Sequence, residues 1–512
     1  MKKLFKAIAI LTSFSVLTRA LGFIFRIFLS RLIGAEGLGI YQISFSIFMV
    51  LETFISSGLP LVVSKMTSKF EATNEKKNEF SFVSTALIIG IATALILCFI
   101  VLIFKNLFSL LFTDKRCINI LITLLPALVF SSVYSILRGN IWGHKKYFIV
   151  SLTEFLEQLI RVIVCVILFA LFYSTFDGAV IASYSLIISC FISSLLVLFF
   201  YCKIGGKFTK PKGQIKPLLK ASIPITLVRV ISSLLTPLIS IIIPLKLASI
   251  GYSNEQALSV FGVAMGMTFP LLYIPSTIIG SLSMTLIPDL SSALSTKNTH
   301  EIKSKINFSI KFSLFIAFMF VCIFFALGNQ IGLFVYNNTE SGYFLTYASW
   351  LVIPICLSGL TVSCLNALNL EIKGFINYGI GSLVLILCIV FLTKYLGILS
   401  LVWGMGLCLS IATILNIFML NKNLNDSFFN FGYIIKLIAC SIPSLIMAKW
   451  CFRIFDKFMP LFFSLGFSCA ISLIFYFLFT LILNIYNFSF INIKAIISKK
   501  SISNKINKVK TK

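Results

Sequence analysis

The chain has 512 residues, of which 59% are hydrophobic and 12% charged, with 43 lysines and arginines against 16 aspartates and glutamates and a formal net charge of +27. A soluble domain carries about 25% charged residues, so a soluble globular enzyme is excluded. Apolar runs of roughly 20 residues recur along the chain, each long enough to cross a bilayer. Runs of this length also exclude the short alternating strands of a barrel, and the fold class is an all-α polytopic membrane protein.

The N-terminal "MKKLFKAIAILTSFSVL" starts basic and turns apolar, as a signal peptide does. No small-x-small cleavage site follows and the apolar pattern continues to Ile33, so an uncleaved first membrane helix is expected. Fourteen spans are predicted. The first six run near 7–33, 37–64, 81–104, 116–137, 148–173 and 178–201. The next six run near 218–246, 258–288, 306–328, 342–369, 374–393 and 397–420, and two more near 431–452 and 460–486. The longest polar stretches, "YCKIGGKFTKPKGQIKP" and "SSALSTKNTHEIKSK", are too short for a catalytic domain, so no enzyme is expected.

The placement of lysine and arginine sets the orientation. With the N-terminus in the cytoplasm, 30 of the 43 basic residues fall in cytoplasmic segments, Arg138 among them, and nine fall in outer loops. The other four, Arg19, Arg26, Arg161 and Arg229, lie within spans. The basic charge thus reads as a topology signal that faces anionic membrane lipids, and no nucleic-acid partner is expected. Both termini are placed in the cytoplasm, on a multi-pass protein of the cytoplasmic (plasma) membrane.

The chain repeats itself weakly. "GLPLVVSKMTSKFEATNEKK" closes the second span and "LIPDLSSALSTKNTHEIKSK" closes the eighth, with Ser64 and Ser291 227 residues apart. Six spans separate the two units, which predicts two parallel six-helix lobes around a central cavity, plus two extra C-terminal helices. The expected division is an N-lobe over 1–204 (spans 1–6), a C-lobe over 205–425 (spans 7–12), spans 13–14 over 426–487, and a basic cytoplasmic tail over 488–512.

Charges inside the spans are the informative exceptions, because one at the bilayer centre costs at least ~2.5–3.5 kcal/mol. Arg19 and Arg26 are seven residues apart, on nearly the same helix face and roughly 10 Å apart along it. Arg31 is expected at the interface. "TEFLEQLIRV" puts Glu154, Glu157 and Arg161 on one face, with Glu157 and Arg161 in the favourable order for a structural pair. Glu52 lies in the second span, and Arg229 in the proline-bearing seventh, "SIPITLVRVISSLLTPLISIIIP".

Four deep arginines against three glutamates leave a positive surplus. Either the arginines pair with Glu52, Glu154 and Glu157, or some face an aqueous cavity that takes an anion. Guanidinium suits a phosphate better than lysine does, which makes Arg19, Arg26, Arg229 and Glu52 the candidate cavity residues. Glu52 and Glu154 are also candidates for coupling to a proton or sodium ion. Pro224, Pro237, Pro244, Pro270 and Pro275 mark spans seven and eight as bent. Thirteen scattered cysteines and the distant His144 and His300 give no metal-ligand spacing. No catalytic residue, metal or cofactor is expected.

"TRALGFIFRIFLSRLIGAEGLGIYQISFSIF" followed by "SSGLPLVVSKMTSKFEA" resembles the stage V sporulation protein B group of oligosaccharide flippases. That group belongs, with the lipid II flippases, to the multidrug/oligosaccharidyl-lipid/polysaccharide exporter superfamily. The matching positions are Arg19, Gly22, Phe23, Arg26, Gly34, Gly37, Gly39, Tyr41, Gly58, Pro60 and Ser64. A second segment, "LRGNIWGHKKYFIVSLTEFLEQLIRV", is similar through Arg138, Gly139, Gly143, Glu157, Gln158 and Arg161. The family's proline early in the fifth span is missing from "YFIVSLTEF", and its glycine-rich turn after the tenth is replaced by "LNALNLEIKG".

The resemblance implies a flippase for an undecaprenyl-diphosphate-linked oligosaccharide, a precursor of peptidoglycan, spore cortex or polysaccharide. It also implies that Arg19 and Arg26 line the cavity. The expected partners are the lipid-linked sugar, membrane lipids and, by extension, cell-wall synthesis enzymes. Alternatives are a cation-coupled multidrug exporter of the same superfamily, which would want an acidic first span, and a non-transporting envelope scaffold, which would not need deep arginines on both lobes. An integral transferase is disfavoured, since no D-x-D motif occurs. A reporter active only outside the membrane, fused after Lys512, is expected to be silent; activity there would make the span count odd.

Overall fold

The computed structural model describes residues 2–173, 175–211, 215–296, 298–428 and 431–485. The expected basic tail over 488–512 lies outside the described residues. Among the described residues the chain is helical, without strands. The first lobe holds α1 (Lys2–Ser56), α2 (Gly58–Ala72), α3 (Lys76–Ile103), the short α4 (Lys105–Ser109), α5 (Arg116–Gly143), α6 (Tyr147–Phe172) and α7 (Gly178–Lys203). The second begins with α8 (Ile215–Ser233), α9 (Leu235–Ser249), α10 (Asn254–Phe261), a π-helical stretch over Gly262–Thr268, α11 (Phe269–Leu272) and α12 (Ile274–Ser295). It continues with α13 (Thr299–Tyr336), α14 (Thr339–Ala348), α15 (Val352–Ala367), α16 (Glu371–Leu396) and α17 (Leu399–Leu424). Two helices follow, α18 (Phe431–Phe455) and α19 (Leu461–Ile482).

Fourteen helical runs are long and apolar enough to cross a membrane. The first, Ser13–Ala72, contains two passes, while Asn254–Leu272 and Ile274–Ser295 lie end to end as one broken pass. The chain therefore makes fourteen passes. Backbone angles distinguish a reversal from a bend. Gly34 has φ 69° and ψ −175°, so the two limbs of α1 meet there with no loop. A residue with a Cβ is strained at that φ, which is why glycine occupies it. Ser57 and Tyr273 have right-handed angles, so α1 bends into α2 and α11 bends into α12 without turning back.

The same devices recur in the second lobe. Gly251, with φ 105°, separates α9 from α10 and lies 217 residues after Gly34. Tyr273 lies 216 residues after Ser57. The sequence spacing of 227 between Ser64 and Ser291 is longer because Ser64 is the seventh residue of α2 and Ser291 the eighteenth of α12. The two lobes are thus parallel repeats with one broken pass each.

At the Gly34 end the lobes touch closely. A Cβ at Gly262 would overlap the carbonyl oxygen of Ala35, and one at Gly39 would overlap that of Leu258. Glycine lets α1 and the π-helical stretch approach backbone to backbone. Arg31 adds a bridge there. Its Nε donates to the Val335 carbonyl at 2.8 Å, and its Nη2 donates to that of Phe334. A cation on the last carbonyls of α13 also complements that helix's dipole. The extra pair α18–α19 is anchored on α13, where Tyr476 donates to the Phe315 carbonyl at 3.0 Å.

At the opposite end, side chains tie α2, α3 and α5 together. His144, which caps α5, places Nε2 2.7 Å from Glu79 Oε1 and Nδ1 3.5 Å from Glu71 Oε1. Asn140 Nδ2 donates to the same Glu79 oxygen at 2.8 Å and to Thr67 Oγ1 at 2.9 Å. The hydrogen bond to Glu79 raises the His144 pKa above its ordinary 6.5, with Glu71 adding to the shift and burial opposing it. A raised pKa means that the clamp contributes fully below the unfolded value and is lost as pH rises through the folded one. The wild-type melting temperature is expected to fall as pH rises above the ordinary imidazole value of 6.5. His144→Gln should remove that fall, as read by thermal melting across the pH series.

Candidate functional site: a charged cavity at the lobe seam

A cavity of about 510 Å³ opens between α1, α2, α5, α6 and α7 of the first lobe and α8 of the second. Glu52, Glu154, Glu157, Arg138 and Arg229 all line it. Positions 154, 157 and 161 share one face of α6 by helical spacing. Arg161 Nη2 lies 2.8 Å from Glu157 Oε1, and its Nε 3.5 Å from Ser189 Oγ on α7. Glu154 turns instead to the neighbouring helix, where Arg138 Nη2 is 2.6 Å from its Oε2. Arg138 also packs over the Tyr134 ring, 5.9 Å from the centroid. Glu52 accepts from Ser131 Oγ at 2.7 Å.

Arg138 is the residue that the sequence placed elsewhere. Its position before "GNIWGHKK" assigned it to a cytoplasmic segment, but α5 continues to Gly143 and carries Arg138 into the cavity wall.

The remaining arginines are arranged differently. Arg31 is taken up by the carbonyls of α13. Arg116 binds Asp114 and Glu36 at the Gly34 end. Arg138 and Arg161 have carboxylate partners. Arg19, Arg26 and Arg229 have neither a hydrogen bond nor an ion pair among the described residues. Arg229 faces the cavity. Arg19 and Arg26 are not part of its lining. Arg19 is exposed and lies across the seam from α12, where a Cβ at Gly280 would stand 3.8 Å from its Nη1. Arg26 is half-buried, with the phenols of Tyr41 and Tyr336 as neighbours. Among the described residues no group of His, Cys, Asp and Glu side chains is placed to hold a metal ion.

The cavity sets one guanidinium without a partner among the described residues, Arg229, beside two ion pairs. Arg138–Glu154 and Arg161–Glu157 satisfy themselves, and removing one partner of such a pair strands the other charge. Glu157→Gln should therefore lower the melting temperature of the purified protein while transport per folded molecule is retained. Transport lost at unchanged melting temperature would move Glu157 into the substrate site.

A family model described as "Polysaccharide biosynthesis protein" matches residues 4–294. Stage V sporulation protein B of Bacillus subtilis (strain 168) is 26% identical over 396 residues, covering 74% of this chain and 76% of that protein. Lipid II flippase MurJ of the same organism is 22% identical over 227 residues, covering 42% of this chain and 40% of that one. Among solved structures, a lipid II flippase MurJ in an inward closed conformation aligns with a TM-score of 0.70 at 17% identity, covering 92% of this chain and 98% of that one. An inward-facing multidrug resistance MATE family transporter of the MOP superfamily aligns with a TM-score of 0.65 at 16% identity, covering 80% of this chain and 94% of that one. The fold of this chain is thus that of these flippase and transporter structures. The chain is a multi-pass membrane protein that belongs to the polysaccharide biosynthesis protein family.

Proposed function

We propose that the protein is a flippase that carries an undecaprenyl-diphosphate-linked oligosaccharide across the cytoplasmic membrane by alternating access. The observation that carries this is the set of three arginines within the predicted spans, Arg19, Arg26 and Arg229, that have neither a hydrogen bond nor an ion pair among the described residues. They sit on α1 and α8, helices on either side of the seam. An unpaired guanidinium within a membrane protein needs water or an anion. A diphosphate fits the planar fork of arginine through two parallel charge-assisted bonds. The lipid tail stays in the bilayer while the polar headgroup occupies the cavity. The relatives are in keeping with this substrate class: one is named a lipid II flippase and another a sporulation protein.

In this scheme the Gly34 end faces outward and is shut by the α1–π-helix contact and by Arg31. Glu52 has no cation partner among the described residues and is the side chain best placed to bind a coupling proton or sodium ion. Glu154, held by Arg138, is the less available of the two.

Arg26→Ala should keep the protein in the membrane at equal or higher melting temperature, since an unpaired charge is removed, and should abolish flipping of a fluorescent diphosphate-linked sugar in proteoliposomes. Arg26→Lys should restore it only in part, because the charge is kept and the fork is lost. Normal flipping by a variant with alanine at Arg19, Arg26 and Arg229 together would end the diphosphate-receiving role.

A further inference from the structure

A smaller cavity of about 200 Å³ lies between α13, α14 and α18, and none of its lining residues lines the cavity at the seam. It sits a little more than one turn before the α13 carbonyls that Arg31 binds, near the Gly34 end. Lys449 and Arg453 of α18 supply its charge, facing Asn329 and Gln330 of α13 and Thr346 of α14. Thr346 Oγ1 donates to Asn329 Oδ1 at 3.1 Å, which fixes that amide between the two helices. The Lys449 ammonium stands 5.2 Å from the centroid of the Phe325 ring. Neither cation has a carboxylate partner among the described residues. The helix dipole accounts in part for Arg453, in the last turn of α18, but it fades beyond that turn, and Lys449 lies further in. In the expected orientation this is also the outer end, where the placement rule for lysine and arginine asks for few of them.

The stripe of α18 that carries the two cations says what anion they meet. Positions 442, 446, 449 and 453 follow one another at helical spacing along one face. Ile442 and Ile446 are exposed, as are Lys449 and Arg453. From Ile442 to Arg453 the stripe climbs roughly 16 Å, apolar toward the bilayer centre and basic toward the surface. The opposite face of α18 is occupied, with Ala448 and Phe452 packed against Ala326 and Leu327 of α13. We propose that this cavity is a binding site for an anionic phospholipid. Lys449 and Arg453 hold its phosphate through charge-assisted bonds, and its acyl chains lie along Ile446 and Ile442. A headgroup without an amine is preferred, because a choline or ethanolamine would set its own cation beside two others. The lipid bridges the second lobe to the α18–α19 pair, which stands outside the two-lobe repeat. This site is independent of the substrate that the seam cavity carries.

The test uses the full chain, purified in detergent, with a phosphatidylglycerol and a phosphatidylcholine of the same acyl chains, and reads bound lipid by mass spectrometry of the intact complex. The phosphatidylglycerol is expected to bind at least about tenfold more tightly. Lys449→Gln together with Arg453→Gln should weaken it by about tenfold. Lys65→Gln together with Lys69→Gln, an exposed basic pair at the same spacing on α2, should leave it within about twofold of the wild type. Inorganic phosphate should not displace the lipid, because it has no chains to lie along the isoleucines. Equal affinity for the two lipids, an unchanged affinity after loss of both cations, or an equal loss in the α2 pair overturns the proposal. Displacement by inorganic phosphate makes the cavity a small-anion site and overturns it as well. If the double variant does not fold, Arg453→Gln alone, at an exposed position, should weaken the phosphatidylglycerol by about threefold, and an unchanged affinity there overturns the proposal.

Discussion

A guanidinium group inside a membrane protein has to be paired, hydrated or supplied with an anion, and the arrangement of this protein turns on that requirement. Arg138 and Arg161 are paired, each with one glutamate of α6. Arg31 and Arg116 are satisfied at the Gly34 end by carbonyls and carboxylates. Arg19, Arg26, Arg229 and, in the last turn of α18, Arg453 are left over, and the first three occur on the helices that form the seam between the lobes. Leaving these three so carries a cost that, in the proposed cycle, an anionic substrate offsets. The cavity admits water or a charged ligand to Arg229, while Arg19 is exposed at the seam and Arg26 is half-buried.

The backbone is broken where a seam needs it. Gly34 and Gly251 reverse the chain by positive φ, and Ser57 and Tyr273 bend the next pass in each lobe. Pro224 and Pro244 lie inside α8 and α9, where they remove helical hydrogen bonds. The Gly34 end is bonded across the lobes through bare backbone and one arginine. The opposite end is tied within the first lobe by the His144–Glu79 cluster. In the proposed cycle the contacts between lobes are the ones that must break, and those within a lobe are the ones that must hold.

Much of this was legible from the chain. Long apolar runs mark the passes because nothing but a helix satisfies its backbone in lipid. The repeat was visible in the two polar hinges, and the helical spacing of Glu154, Glu157 and Arg161 follows from the period of 3.6. What could not be read is what depends on contact between distant segments. Glu154 and Arg138 meet across two helices, and no spacing along the chain announces it. The turn at Gly34 needs no loop, so the first two spans read as separated by a short gap. The π-helical stretch in the eighth span arises where Gly262 lies against α1, a tertiary demand that local propensity does not carry.

The central claim is that unpaired arginines at the seam receive a diphosphate. The most direct measurement is binding of two lipid-linked sugars to the purified protein, identical in lipid and sugar but joined through a diphosphate in one and a monophosphate in the other. The account predicts that the diphosphate form binds at least about tenfold more tightly, and that the preference disappears when Arg19, Arg26 and Arg229 are replaced by alanine. Equal affinity for the two forms in the wild-type protein, or a preference that survives the loss of all three arginines, would contradict it.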